Sequence, residues 1–238
     1  MIIEKAQLTL VDQVEERLLL YFKERSLVLG DGIPNETTLA AELGVARSVL
    51  REALSRLRMM GVINSRPRRG MVLSEPSLFS GIKKVLDPTF LSKDTLLNLL
   101  EFRIAIETGV SGNLFKNITS DDIKELEDIV RIGQVSENNA YTSMSEMAFH
   151  TKLYKITGNK IISEFQHIIY PVLEFVKQNF NEYLRPINIE LKKNNQIVTH
   201  ADLLEYIKNH DLDGYRKAIE KHFLVYTLFI EQYKNEKR

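Results

Sequence analysis

The chain has five histidines, at positions 150, 167, 200, 210 and 222, and three of them stand at a spacing that suits metal chemistry. Glu146 and His150 are four residues apart in "SEMAFHTKLYKITGN", so on a helix they project from one face into the same space. His200 and His222 are 22 apart, and their midpoint, Asp211, falls inside "NHDLDG". Where that turn joins two antiparallel helices, residues equidistant from it sit at one height, and the two rings can meet. One carboxylate and three imidazoles from three helices suit Zn²⁺, Ni²⁺ or Mn²⁺, zinc in the first place, with one or two positions left for water or an oxygen ligand. His210 lies at the turn itself and His167 lacks a partner at metal spacing, so both read as structural.

A second constellation lies near the other end of the chain. Residues 46–70, "ARSVLREALSRLRMMGVINSRPRRG", hold seven arginines and one acid, Glu52, a local charge of +6 in a chain whose 32 basic and 32 acidic residues cancel. Attraction to a polyanion is therefore local, not global. At about 100° per residue, Leu50, Ala53, Leu54 and Leu57 form one stripe, and Arg47, Ser48, Arg51 and Ser55 cluster about a third of a turn away. Guanidinium groups one turn apart, at Arg47 and Arg51, suit guanine edges or phosphates. Arg56 and Arg58 lie further along and read as backbone or solvent contacts.

These residues need elements to position them. A helical pattern runs from about Thr9 to Leu27, with Val14, Leu18, Leu19 and Phe22 at helical spacing. After "LGDGIPNE", Asn35 offers an N-cap to a short helix that Gly44 ends, and a third helix runs from Arg47 to Gly61. "VIN" and "MVL" flank "SRPRRG", a hairpin whose tip carries Arg66, Arg68 and Arg69. Helix, tight turn and basic helix is the geometry in which the second helix enters the major groove, and the charged hairpin would be a wing. A looser stretch with Pro76 and Pro88 follows. Helical patterns then cover 94–115, 121–133, 138–156, 160–183, 198–209 and 213–235, which suggests an antiparallel bundle. The fold expected is mostly α: a winged helix-turn-helix over 1–75, a linker over 76–93, and an all-helical domain over 94–238.

Bulk properties narrow the classes further. The chain is long enough for two ordinary domains, and with no cysteine it has no disulfides, thiolate metal sites or cysteine nucleophiles. No segment approaches the roughly 18 consecutive apolar residues of a membrane span, and no signal-peptide core is present, so a cytoplasmic protein is expected.

The stretch "GIPNETTLAAELGVARSVLREALSRLRMMGVINSRPRRGMVL" resembles the winged helix-turn-helix of GntR-type bacterial transcriptional regulators. That resemblance places Arg47, Arg51 and the wing Gly70 on DNA-contact or wing positions. Two residues depart from the family pattern: Thr37 replaces an arginine that contacts DNA, and Ala46 replaces the serine or threonine cap of the recognition helix, a loss on the order of 1 kcal/mol. Further on, "SEMAFHTKLYKITGN" and "THADLLEYIKNHDLDGYRKAIEKH" resemble the signatures of the FCD ligand-binding domain of the FadR-type branch. The resemblance implies an aspartate and three histidines holding a metal inside a helical bundle. Here these map to Glu146, one methylene longer than the aspartate, with His150, His200 and His222. "LLEFRIAIETG" resembles the opening helix of that domain, where an arginine faces the effector pocket. Arg103 takes that position, and it stands equally well placed for an intrahelical pair with Glu107.

The reading that results is a repressor-like transcription factor, a homodimer on a pseudo-palindromic DNA operator, responsive to a small organic acid such as a sugar acid or hydroxy acid. The rivals are a metal-dependent hydrolase or lyase, since the same ligands serve catalytic sites, and a regulator whose metal is purely structural or whose ligand is fatty acyl.

Overall fold

Thr9 starts the first helix: its hydroxyl accepts from the Asp12 amide, and the Asp12 carboxylate accepts from the Thr9 amide, a reciprocal cap. The computed structural model describes residues 8–76, 78–79, 81–82, 86–133 and 143–236 and divides the chain into two units, Met1–Val85 and Leu86–Arg238.

In the first unit, α1 (Leu10–Glu24) packs on α3 (Arg47–Met59), and α2 (Glu36–Leu43) packs beside α3. Val14, Leu18 and Phe22 of α1 meet Leu39, Ala40 and Leu43 of α2 and Leu50, Ala53, Leu54 and Leu57 of α3 in one core, and Leu19 is half-buried at its edge. Asn35 caps α2, and Gly44 closes it at φ 65°, a left-handed conformation that lets the chain turn straight into α3. Strands β1 (Ile63–Arg66) and β2 (Gly70–Leu73) pair antiparallel with Arg66 opposite Gly70, so Pro67, Arg68 and Arg69 form the hairpin tip. Gly32 bridges to Val72 on the far side of β2.

In the second unit a 3₁₀ turn (Pro88–Phe90) precedes nine α-helices among the described residues: α4 (Lys93–Gly109), α5 (Ser111–Asn117), α6 (Ser120–Gly133), α7 (Ser143–Ile156), α8 (Lys160–Asn179), α9 (Asn181–Lys193), α10 (His200–Lys208), α11 (Leu212–His222) and α12 (Leu224–Glu236). Three expected helices are each broken in two, at Val110, Phe180 and Phe223. At each break a single residue leaves helical register while apolar spacing continues across it, so periodicity alone does not mark the joint. The interval after residue 183, left without an element by the sequence reading, is helical to Lys193. Residues 134–142, where the helix over 138–156 was expected to begin, lie outside the described residues. Lys93, at the start of α4, places its Nζ 4.0 Å from the Tyr233 ring centroid and 4.8 Å from that of Tyr183, joining α4 to α12 and α9.

Helix α7 packs between α6 and α8, α4 packs on α8, α11 and α12, and α10 and α11 form a hairpin. Asp211 caps α11 by accepting from the Gly214 amide at 2.8 Å. A Cβ at Gly214 would stand 2.2 Å from Asp211 Oδ2 and 2.6 Å from the Tyr206 ring, so any larger residue here must displace the capping carboxylate and that ring. Its open ends hold His200 and His222.

Candidate functional site

Glu146 and His150 project from α7, His200 is the first residue of α10 and His222 the last of α11. One ligand atom from each of the four lies within 4.8 Å of the others. His150 Nε2 stands 3.3 Å from His200 Nε2, and the two nitrogens each stand 3.4 Å from a different oxygen of Glu146, Oε1 for His150 and Oε2 for His200. Bonds of about 2.0–2.1 Å at tetrahedral angles separate neighbouring ligand atoms by about 3.3 Å, so the spacing of the two imidazole nitrogens fits a zinc-sized ion. The ring centroids of His200 and His222 are 5.0 Å apart, as the equidistance about Asp211 requires.

The surroundings point the lone pairs inward. His150 Nδ1 donates to Glu107 Oε2 at 2.5 Å and His222 Nδ1 to the Val198 carbonyl at 2.8 Å, which leaves Nε2 of each ring facing the cluster. Phe149 stacks on the His200 ring at 4.4 Å. Glu107 is itself held by Arg103 Nε at 2.7 Å and by the Tyr154 hydroxyl at 2.9 Å. Sequence reasoning missed Glu107, Tyr154 and Val198 as supports. The signals present were the four-residue steps from Arg103 to Glu107 and from His150 to Tyr154, the first of which was weighed only as an alternative fate for Arg103.

Electrostatics sort the donors. Burial drives the His200 imidazolium well below its ordinary range and, with the neighbouring His150, brings His222 down to about 4. Both rings are therefore neutral ligands at pH 7. For His150 burial acts downward, but the carboxylates of Glu107 and Glu146 raise it, so without a metal this ring keeps the proton a metal would replace. Burial opposes ionisation of Glu107 and Glu146 as well, yet His150 and Arg103 hold Glu107 at about 2, and His150, Lys177 and Arg103 hold Glu146 well below the carboxylate range. Arg103 is 2% exposed, paired to Glu107 and, through one terminal nitrogen at 3.2 Å, to Glu146, with its guanidinium 5.0 Å from the Phe223 ring centroid. The intrahelical pair is thus present, and Nη1 remains buried without a hydrogen-bond partner. His167 and His210 are exposed and away from the cluster.

In the first unit Arg47, Ser48 and Arg51 are exposed at the start of α3, and Arg66, Arg68, Arg69 and Gly70 are exposed on the hairpin. Arg51 lends Nε to Glu36 at 3.2 Å. Arg56 and Arg58 are each about one third exposed and also pair within the unit. Arg56 ties α3 to Asp12 of α1 at 2.6 Å, and Arg58 reaches Glu36 at 3.4 Å, because each sits on the flank of α3 that faces a neighbouring acid. Ala46 offers no side-chain cap, so neither Ser48 nor another side chain replaces the missing hydroxyl. Thr37 is exposed on α2.

Residues 10–73 match the model of the bacterial regulatory proteins of the gntR family, and residues 98–224 match the FCD domain, over half of the chain. The chain belongs to the FCD branch of the GntR family. As a GntR regulator it is a DNA-binding transcription factor and not an enzyme, which removes the hydrolase or lyase alternative. Among its relatives is the "Putative L-lactate dehydrogenase operon regulatory protein" of Escherichia coli, 28% identical over 225 residues that cover 90% of this chain and 83% of that protein. The HTH-type transcriptional regulator LutR of Bacillus subtilis is 26% identical over 66% of this chain and 72% of its own length, and the HTH-type transcriptional repressor NanR of Escherichia coli is 25% identical over 91% and 82%. A solved Streptococcus agalactiae GntR structure shares the fold, with a TM-score of 0.54 at 24% identity over 91% of this chain and 98% of that one. No helix among the described residues is long and apolar enough to cross a membrane.

Proposed function

We propose that this GntR regulator holds a divalent metal, zinc in the first place, on Glu146, His150, His200 and His222, and uses it with Arg103 to sense a small carboxylate. The observation that carries the reading is the convergence of four ligand atoms within 4.8 Å beside a buried guanidinium nitrogen that has no partner. A buried donor without an acceptor is costly, and an anion relieves it. The metal would supply Lewis acidity toward the same anion, while Glu107 orients His150 and Val198 orients His222. Descent from the same stock as a regulator named for an L-lactate dehydrogenase operon favours a hydroxy acid or sugar acid as effector.

At the other end, Arg47, Ser48 and Arg51 read a half-site in the major groove, and Arg66, Arg68, Arg69 and Gly70 place the wing against adjacent DNA. A homodimer then matches a pseudo-palindromic operator. Acid binding in the FCD domain weakens operator binding, as in a repressor, with a coupling of about 1–3 kcal/mol, or roughly 5- to 150-fold. The test is fluorescence anisotropy on DNA from upstream of the protein's own gene, with zinc or chelator and a panel of acids. Release of DNA by an acid only when metal is bound supports the reading. Indifference to every acid in the presence of zinc sinks it.

A further inference from the structure

Helix α8 carries a stripe of polar side chains. Gln166, Tyr170, Glu174 and Lys177 fall, at about 100° per residue, within one sector of roughly 80°. Oε1 of Gln166 and Oε1 of Glu174 are out of reach of solvent and accept no hydrogen bond. Arg103 Nη1, the unpartnered donor, stands on α4, which packs against α8. Phe102 of α4 meets Phe165 of α8 edge-on, ring centroids 5.0 Å apart, which brings the neighbouring Arg103 and Gln166 to one height. Helix α7, the bearer of Glu146 and His150, packs on α8 as well. The α8 stripe therefore borders the same interior as Arg103 and the metal ligands.

The chemistry of these atoms is one-sided. Arg103 Nη1 donates only, a carboxylate oxygen accepts only, and the orphaned atom of Gln166 is its amide oxygen. A ligand that satisfies all of them presents an anionic acceptor at one end and a hydrogen-bond donor at the other. A second carboxylate at that other end would meet Glu174 with like charge. We propose that Glu174, assisted by Gln166, reads a hydrogen-bond donor on the carbon chain of the effector, so that hydroxylated acids are preferred over their deoxy and dicarboxylate counterparts. This inference rests on the reading of the bundle as a carboxylate sensor. An ammonium group supplies the same donor chemistry as a hydroxyl, and an amino acid in the panel separates the two.

The test is calorimetric titration of the full-length, zinc-loaded protein with lactate and propionate, 3-hydroxybutyrate and butyrate, gluconate and hexanoate, together with alanine and succinate. In at least one pair the hydroxylated member binds about tenfold tighter or more. Glu174→Gln lowers that ratio to about threefold or less while the deoxy acid keeps its affinity, and succinate gains. A 2-hydroxyl that merely chelates the metal would keep its advantage in the variant, which overturns the proposal. Equal binding within every pair of the wild-type protein overturns it too and leaves carboxylate sensing intact, whereas no binding by any acid defeats the sensor reading itself. Alanine bound tighter than lactate, with the preference lost in the variant, assigns the donor to an ammonium. Should Glu174→Gln fail to fold, Gln166→Leu is the second variant, with the same fall in ratio expected.

Discussion

Substituting Glu107→Gln tests whether the proposed metal site is built from its supports as well as its ligands. Glu107 receives three donors: the Nδ1–H of His150 at 2.5 Å, Arg103 Nε at 2.7 Å and the Tyr154 hydroxyl at 2.9 Å. Two carboxylate oxygens accommodate all three. Glutamine keeps the shape but has one accepting oxygen, and its NH₂ must face a donor whichever way it turns. If the NH₂ faces His150, the ring loses the bond that fixes its tautomer, and Nε2 is no longer held with its lone pair toward the cluster. If it faces Arg103 and Tyr154, a buried cation loses one of its two carboxylates. Loss of such an orienting partner lowers metal affinity by about 10- to 100-fold, or about 1.4–2.7 kcal/mol. A buried donor left unbonded removes a further 1–3 kcal/mol or so of fold stability. The assay is competition for zinc against a chromophoric chelator, with melting curves for chelated and zinc-loaded protein. His150→Ala serves as the reference for outright loss of the site. Zinc affinity within twofold of wild type, with an unchanged melting temperature after chelation, would refute the argument that Glu107 orients His150.

In chelated protein, His222 is held near 4 against an ordinary 6.5, so the unfolded chain binds more protons between those values. Stability therefore falls as pH drops from about 6.5 toward 4, by up to about 3 kcal/mol. Urea melts across that range should show His222→Asn flattening the slope, and an unchanged slope would contradict the assignment. Arg47→Ala and Arg51→Ala should each weaken operator binding by about 1–3 kcal/mol if they meet bases, or reduce the salt slope by about 1 if they meet phosphates. Arg56→Ala should leave both unaltered and lower the melting temperature slightly, since it pairs with Asp12 of α1 and with Glu52. A salt titration of anisotropy separates these outcomes. Restoring a cap with Ala46→Ser should raise the melting temperature of the DNA-binding unit by an amount equivalent to about 1 kcal/mol, read by calorimetry. Gly214→Ala should force the α10–α11 hairpin open and cost zinc affinity without altering any ligand, because its Cβ would overlap Asp211 and Tyr206. Zinc competition measures that loss directly.

The amino-acid order was sufficient wherever the information is local or symmetric about a turn. The apolar steps of α1 and α3, the glycine that ends α2, the exposed arginines and the hairpin tip all follow from periodicity and from residues with few allowed conformations. The meeting of His200 with His222 follows from equal distances to Asp211, since an antiparallel hairpin maps sequence separation onto height. Contacts between helices far apart in the chain came only from packing. Whether Arg103 turns to Glu107 or to an anion is a question that spacing poses and burial answers: it does the first and keeps Nη1 in reserve. Arg56 and Arg58 keep part of their side chains exposed, and the acids that pair with them across the core belong to α1 and α2, which no helical wheel of α3 shows. The role of Glu107 depends on its side chain reaching from α4 to His150 and Tyr154 on α7, and no interval in the sequence encodes that meeting. A carboxylate orients a distant imidazole only once the core has set the two helices a hydrogen bond apart.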